Sequence, residues 1–173
     1  NQEQFYYEIT IAASVPDKFD NKENLPAYIE TKRTDRPLKK SAARPIVIGF
    51  GPAGIFAALE LIEYGLKPLI FERGKKIEER SKDVQTFIKE KSLDPESNIQ
   101  FGEGGAGSYS DGKLFSRMKN SEYINKALDT FIKFGAPEEI GYVSKPHLGT
   151  DVLCRIVRNM RNYILERGGE IYY

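Results

Sequence analysis

Six residues, Gly49-Phe50-Gly51-Pro52-Ala53-Gly54, constrain the fold more than any other part of the sequence. They fit the pattern G-x-G-x-x-G, which alone is a weak signal. Here the surroundings agree with it. Residues 45–50 (PIVIGF) are a short apolar run ending in glycine, as expected of a buried parallel strand. Residues 53–64 carry Ile55, Phe56, Leu59 and Ile62 at helical spacing, and Gly65 is a natural stop. Residues 66–71 are a second apolar run, closed by Glu72. The spacing predicts a β-α-β unit of about 30 residues, the unit that builds parallel sheets.

Each motif position has a physical job. Gly49 permits a tight strand-to-helix turn, Gly51 lets a pyrophosphate approach the backbone, and Gly54 lets helix and strand pack closely. Free N–H groups and the positive end of the helix dipole would hold the phosphates. Ala58 and Gly65 continue the small-residue spacing along the helix. Glu72 lies 18 residues past Gly54, close to the ~20 expected for the acid that binds ribose hydroxyls. A carboxylate there argues against a 2′-phosphate, hence against NADP, without separating FAD from NAD. A ligand-free turn is the plainer alternative; four agreeing features of context weigh against it.

Gly102-Glu103-Gly104-Gly105-Ala106-Gly107 repeats the pattern. No apolar strand precedes it, and 108–113 (SYSDGK) opens no apolar helix, so it is not a second dinucleotide turn. Two readings stay open. Such a loop can present backbone N–H groups to a phosphate or a flat ring, or it can be a flexible surface loop.

Further helices are predicted over 75–91, 122–134 (Ile124, Leu128, Phe131 and Ile132 on one side) and 152–167 (Leu153, Ile156, Val157, Met160, Tyr163 and Ile164 inward), the last with Thr150 as N-cap and Gly168-Gly169 as stop. Residues 5–13 (FYYEITIAA) read as a half-buried strand, which explains Phe5, Tyr6 and Tyr7 better than an aromatic patch does. Residues 14–44, with three prolines and the basic run Lys32, Arg33, Arg36, Lys39, Lys40 and Arg44, read as a solvated connector. The chain opens at Asn1 and ends on the strand-like EIYY, so both ends are expected to be cut from a longer protein.

Composition bounds the rest. Lys and Arg number 26 against 25 Asp and Glu, and the net +1 gives no electrostatic case for nucleic acid or an anionic membrane. One cysteine and one histidine exclude an internal disulfide and any metal site needing several imidazoles or thiolates. The most apolar stretch, 46–62, is broken by Gly49, Gly51, Pro52, Gly54 and Glu60 and is too short to span a bilayer. The expected location is cytoplasmic, and the expected partner is a small molecule, with no nucleic acid and no membrane span.

The runs IVIGFGPAGIFAALELIEYGLKPLIFERG (46–74), PESNIQFGEGGAGSYSDGKL (95–114) and KPHLGTD (145–151) resemble a family of uncharacterised FAD-dependent dehydrogenases in the glutathione-reductase-like flavoprotein class. The resemblance covers 45–173, about three quarters of the chain, and its second run is the more specific. It implies an α/β, Rossmann-like, three-layer FAD/NAD(P)-binding domain, incomplete at 45–173, with 1–44 as the end of an N-terminal domain plus linker. It also implies FAD, with Gly49, Gly51, Pro52, Ala53 and Gly54 on the pyrophosphate and Glu72 on the adenosine ribose. Arg73 would lie by the adenine end, and Arg80 is similar to a family arginine that reaches the cofactor. Gly105, Ala106, Gly107 and Ser108, with Ser110, Asp111, Gly112 and Lys113, would run beside the pyrophosphate and the isoalloxazine. The reaction class implied is oxidoreductase, with NAD(P)H as a candidate electron donor. The later strands of the family's FAD domain lie in sequence absent here.

The rival readings are an NAD-dependent dehydrogenase using the same turn and an RNA-modifying flavoprotein with 32–44 as its nucleic-acid arm. No catalytic residue is assigned. His147 is the obvious acid/base candidate, yet a lone histidine in a capping loop reads better as structural. Cys154 falls in the first turn of a helix, where the dipole favours a thiolate, but a packed or free thiol is the better reading. Asp111 and Lys113 either tune a flavin or shape a turn.

Overall fold

The structure, a computed structural model, describes residues 9–28, 43–114, 121–143 and 145–173. The chain divides into two units, Asn1–Arg36 and Pro37–Tyr173. In the first, 9–28 is irregular. Phe19 N–H donates to Pro16 O at 2.9 Å, and the Asn21 side chain closes a turn through both polar groups of Leu25 at 2.7 and 2.8 Å. The strand expected over 5–13 is absent from 9–13, where Ile9 and Ile11 are about four-fifths exposed, at 79% and 80%. A strand without a partner ladder is not stable alone. Residues 5–8 and the basic run up to Lys40 lie outside the described residues.

The second unit is a mixed α/β fold. In chain order it runs β1 (Ile46–Ile48), α1 (Pro52–Glu63), β2 (Leu69–Phe71), α2 (Ile77–Glu90), a short 3-10 turn (Ala106–Tyr109), α3 (Ser121–Lys133), a second 3-10 turn (Glu138–Gly141), α4 (Thr150–Glu166) and β3 (Glu170–Tyr172). The strands form one parallel sheet in the order β1-β2-β3, with Val47 opposite Ile70 and Ile70 opposite Ile171. That row faces α1 and α4 and completes a core with Ile55, Ala58, Leu59, Ile62, Ile156, Met160 and Ile164. Full burial of an isoleucine such as Ile70 or Ile156 contributes about 1.5–3 kcal/mol relative to exposure.

The alternate row behaves differently. Ile46 and Ile48 are exposed, and Phe71 stacks on Tyr172 with both rings open to solvent (centroids 5.2 Å apart). Parallel strands are ordinarily covered on both faces. Among the described residues only one face carries helices, so two of the expected three layers are present.

Glycine ends three of the four α-helices among the described residues in the same way. After α1, α3 and α4 a left-handed glycine (Gly65, Gly135, Gly168) lets the next N–H reach back to the carbonyls of Leu61, Phe131 and Ile164. Thr150 is the first residue of α4 rather than its cap; Gly149 takes the cap position with no side-chain bond. Arg44, expected in a solvated connector, is structural. It donates to the carbonyls of Lys67, Pro68 and Gly168 and pairs with Glu170, tying the entry of β1 to the starts of β2 and β3.

Candidate functional site

The turn between β1 and α1 is shaped by two of its glycines. Gly49 has φ +89°, a left-handed value, and its N–H donates to Phe71 O at 2.7 Å. A Cβ on Gly54 would sit 1.9 Å from Gly49 O, so only glycine lets helix and strand meet there. Gly51 is different. Its φ of −78° suits any residue, and a Cβ would meet nothing closer than Gly105 Cα at 3.6 Å. Pro52 opens α1, where its missing N–H is no loss. The N–H groups of Gly51, Ala53 and Gly54 have no acceptor among the described residues, and they point from the positive end of the helix.

Glu72 follows β2 immediately. One carboxylate oxygen accepts Phe50 N–H at 2.6 Å and the other accepts Gly74 N–H at 2.9 Å. A carboxylate has about four acceptor sites, so capacity remains for a diol. Arg73 pairs with Glu96, donates to Pro95 O and lies 4.3 Å over the Phe101 ring, at the side of the turn expected to face a base.

The second glycine run packs directly on the first. Gly104 N–H donates to Phe50 O at 2.8 Å, and a Cβ on Gly105 would strike the Pro52 ring at 2.9 Å. Gly102, Gly104 and Gly105 all have positive φ. Arg80 is fully buried. Its guanidinium donates to five carbonyls, those of Asn98, Ile99, Gly102, Glu103 and Gly105. The arginine expected to reach a cofactor is thus spent on holding this loop.

Glu103, also fully buried, anchors the loop from below. Its Oε2 accepts Ile77 N–H at the start of α2 and Arg161 of α4, both at 2.7 Å, while Oε1 has no hydrogen-bond partner. Burial pushes the Glu103 carboxyl up, against the pull of the Ile77 N–H and Arg161. Arg161 also holds Glu78, and that pairing brings the Glu78 carboxyl down to about 2.

Beyond Gly105 the loop makes a 3-10 turn. Ala106 and Gly107 are exposed, and Ser108 is buried with its Oγ unpartnered. Ser110 closes a turn, donating to Gly107 O at 2.8 Å and accepting Gly112 N–H at 3.2 Å. Asp111 and Lys113 pair with each other at 2.7 Å on the surface; the hydrogen bond between them lowers one and raises the other. Residues 112–114 pair with 146–148 through Leu148 N–H to Gly112 O and Leu114 N–H to Pro146 O, which brings the exposed His147 beside Lys113. Cys154 sits beneath Ser108, and burial pushes its thiol up, so the helix dipole does not win there.

The first two sequence runs singled out above therefore meet at the N-terminus of α1, and the third, 145–151, pairs with the end of the second. A cavity of about 240 Å³ opens beside this N-terminus, bounded by α1, α3, α4 and the second glycine loop. The residues missed from sequence are Glu103, Arg161 and Glu78. A signal for two of them existed: a carboxylate inside a glycine run, and an arginine on the inward row of α4 between Val157 and Ile164.

No helix among the described residues is long and apolar enough to cross a membrane. No family model matches the chain. An "Uncharacterized protein" of Clostridium beijerinckii (strain ATCC 51743 / NCIMB 8052) is 53% identical over 131 residues, which are 76% of this chain and 24% of that protein. The chain spans about a quarter of the length of this curated relative, to which it is similar over most of its own.

Proposed function

We propose that this chain is the dinucleotide-binding part of a cytoplasmic FAD-dependent oxidoreductase with a Rossmann-like fold. The observation that carries the reading is Gly51. Neither its backbone angle nor its surroundings require glycine, and beside it the N–H groups of Gly51, Ala53 and Gly54 have no acceptor among the described residues. A bare backbone beside unpaired donors at a helix N-terminus suits a pyrophosphate. Glu72, one strand away with acceptor capacity left, suits a ribose diol. The residues present fit the group on these grounds. Gly51, Ala53 and Gly54 would hold phosphate oxygens, Glu72 the ribose, and the second glycine run would wall the site. Bound there, a flavin supplies hydride acceptance and onward electron transfer.

Resemblance to FAD-dependent dehydrogenases favours FAD over NAD at this turn. The test is an absorption spectrum of the purified protein from roughly 300 to 550 nm, with and without added FAD, for wild type and Gly51→Ala. Retained oxidised-flavin bands are expected in wild type and lost in the variant, with the melting temperature of Gly51→Ala within about 2 °C of wild type. A protein that takes up NAD and no FAD overturns the reading.

A further inference from the structure

We propose that Glu103 is a pH switch built into the second glycine loop: the loop stays closed on Gly51 and Pro52 while the Glu103 carboxyl carries a proton, and it loosens as rising pH removes that proton. What carries this is a carboxyl group shut off from water, with one cation shared between it and a second acid. The switch goes beyond the flavin reading and does not depend on it.

Glu103 is 0% exposed. Its Oε2 accepts Ile77 N–H and Arg161, and Oε1 has no hydrogen-bond partner. An ionised carboxylate only accepts, so its charge would rest partly on a bare oxygen with no water to solvate it. A protonated carboxyl leaves only a neutral hydroxyl unpaired, which costs less.

The neighbouring charges point the same way. From α4, Arg161 gives Glu103 one bond but gives Glu78 two, at 2.9 and 2.6 Å, and Arg158 holds Glu78 as well. Ionised Glu78 thus already balances Arg161, and an ionised Glu103 would add a buried charge without a cation of its own. From α2, Arg80 lies close, but its five hydrogen bonds go to backbone carbonyls. Lys75, whose carbonyl accepts Glu103 N–H, is committed to Asp83 and Asp94. Tyr173, which follows β3, faces the carboxyl as a neutral phenol, its hydroxyl desolvated and beside an acid. Desolvation likewise pushes the Glu103 carboxyl up, against Ile77 N–H and Arg161.

The carboxyl is tied directly to the loop. Glu103 stands between Gly102 and Gly104, both left-handed. Gly104 N–H donates to Phe50 O, and Gly105 packs on Pro52 and Gly51. An ionised Glu103 is relieved only where it reaches water, and moving it there pulls Gly104 and Gly105 off the first run. A group that holds its proton more tightly with the loop closed than open weakens closure as pH rises. The weakening begins above the ordinary value of 4.5, which applies to the open loop, and ends once the closed loop has also lost its proton.

The experiment is hydrogen exchange of the whole protein between about pH 5 and about pH 9, with protection at 102–108 expressed relative to α1 so that the intrinsic pH dependence of exchange cancels. In wild type this ratio is expected to fall as pH rises, by up to about tenfold per unit. Glu103→Gln keeps an acceptor and cannot ionise, so its ratio stays level. Glu78→Gln removes the competing carboxylate at an exposed position and leaves the Arg161 charge to Glu103, so its ratio falls less than in wild type. That variant decides the matter even where Glu103→Gln fails to fold. A level ratio in wild type, a fall that survives Glu103→Gln, or a Glu78→Gln curve that matches wild type overturns the proposal.

Discussion

The glycine run at 49–54 and the one at 102–107 have the same pattern and different supports. The first is clamped by regular structure, with β1 on one side, α1 on the other, and a Gly54–Gly49 contact that admits no side chain. The second has no adjoining strand or α-helix among the described residues, only the 3-10 turn at Ala106–Tyr109. Its shape is imposed by two buried charged residues, Arg80 above and Glu103 below, which reach it from α2 and from within the loop itself. Glycine patterns therefore say where a backbone must be bare, and not what keeps it in place. In the first run the support lies in the adjacent sequence; in the second it comes from elements up to 58 residues away.

The sharpest way to break this contrast is Arg80→Met. Several buried carbonyls would lose a charged donor, each bond being worth about 1.5 kcal/mol or more. A loss of about 3 kcal/mol or more is expected in denaturant unfolding, with faster hydrogen exchange at the amides of 102–108 than at those of α1. Stability unchanged within about 1 kcal/mol would show that something else holds the loop. Next in size is Gly54→Ala, for which about 3 kcal/mol is expected from overpacking against a backbone that cannot yield. Gly51→Ala beside it should be nearly silent in unfolding, and equal effects at the two positions would remove the distinction drawn between them.

The smallest effect concerns acid. The Glu78 carboxyl is held down to about 2 by Arg161, below an ordinary value of 4.5. A depressed carboxylate contributes its stability in full above the unfolded value and loses it as pH falls toward the folded one. The side chain is 41% exposed, so solvent screening limits the contribution to about 1 kcal/mol or less. Glu78→Gln should therefore unfold with a shallower loss of stability than wild type between about pH 5 and pH 2. Glu103 has the opposite sign, since its burial favours the protonated form and its contribution declines as pH rises. An unchanged acid limb in Glu78→Gln would mean that the Arg161–Glu78 pair does not tune the base of the loop.

Much of the second unit was legible because its signals are local. The apolar periods of α1, α3 and α4 and the glycines after them located those helices within about two residues, and β1 and β2 followed from short apolar runs ended by Gly49 and Glu72. The first glycine run was read correctly as a strand-to-helix turn for the same reason. The strand expected over 5–13 failed over 9–13, because alternation and β-branching supply a propensity but not a partner. The shape of the second glycine run was not legible, because Arg80 looks like any charged residue on a surface helix until its five acceptors are in place. Arg44 was misread likewise, as a solvated cation among others.

Phe50 joins the two runs through a single residue. Its N–H goes to Glu72 and its carbonyl accepts Gly104 N–H, while its side chain is fully buried. The residue is a hinge pin with no play. Lifting the second loop away from α1 would strip the Phe50 carbonyl of its donor in a place closed to water, and shifting Glu72 would do the same to the N–H on its other side. The second glycine loop and the Glu72 carboxylate are thereby tied to the two sides of one residue, so that neither can shift without breaking a bond to Phe50.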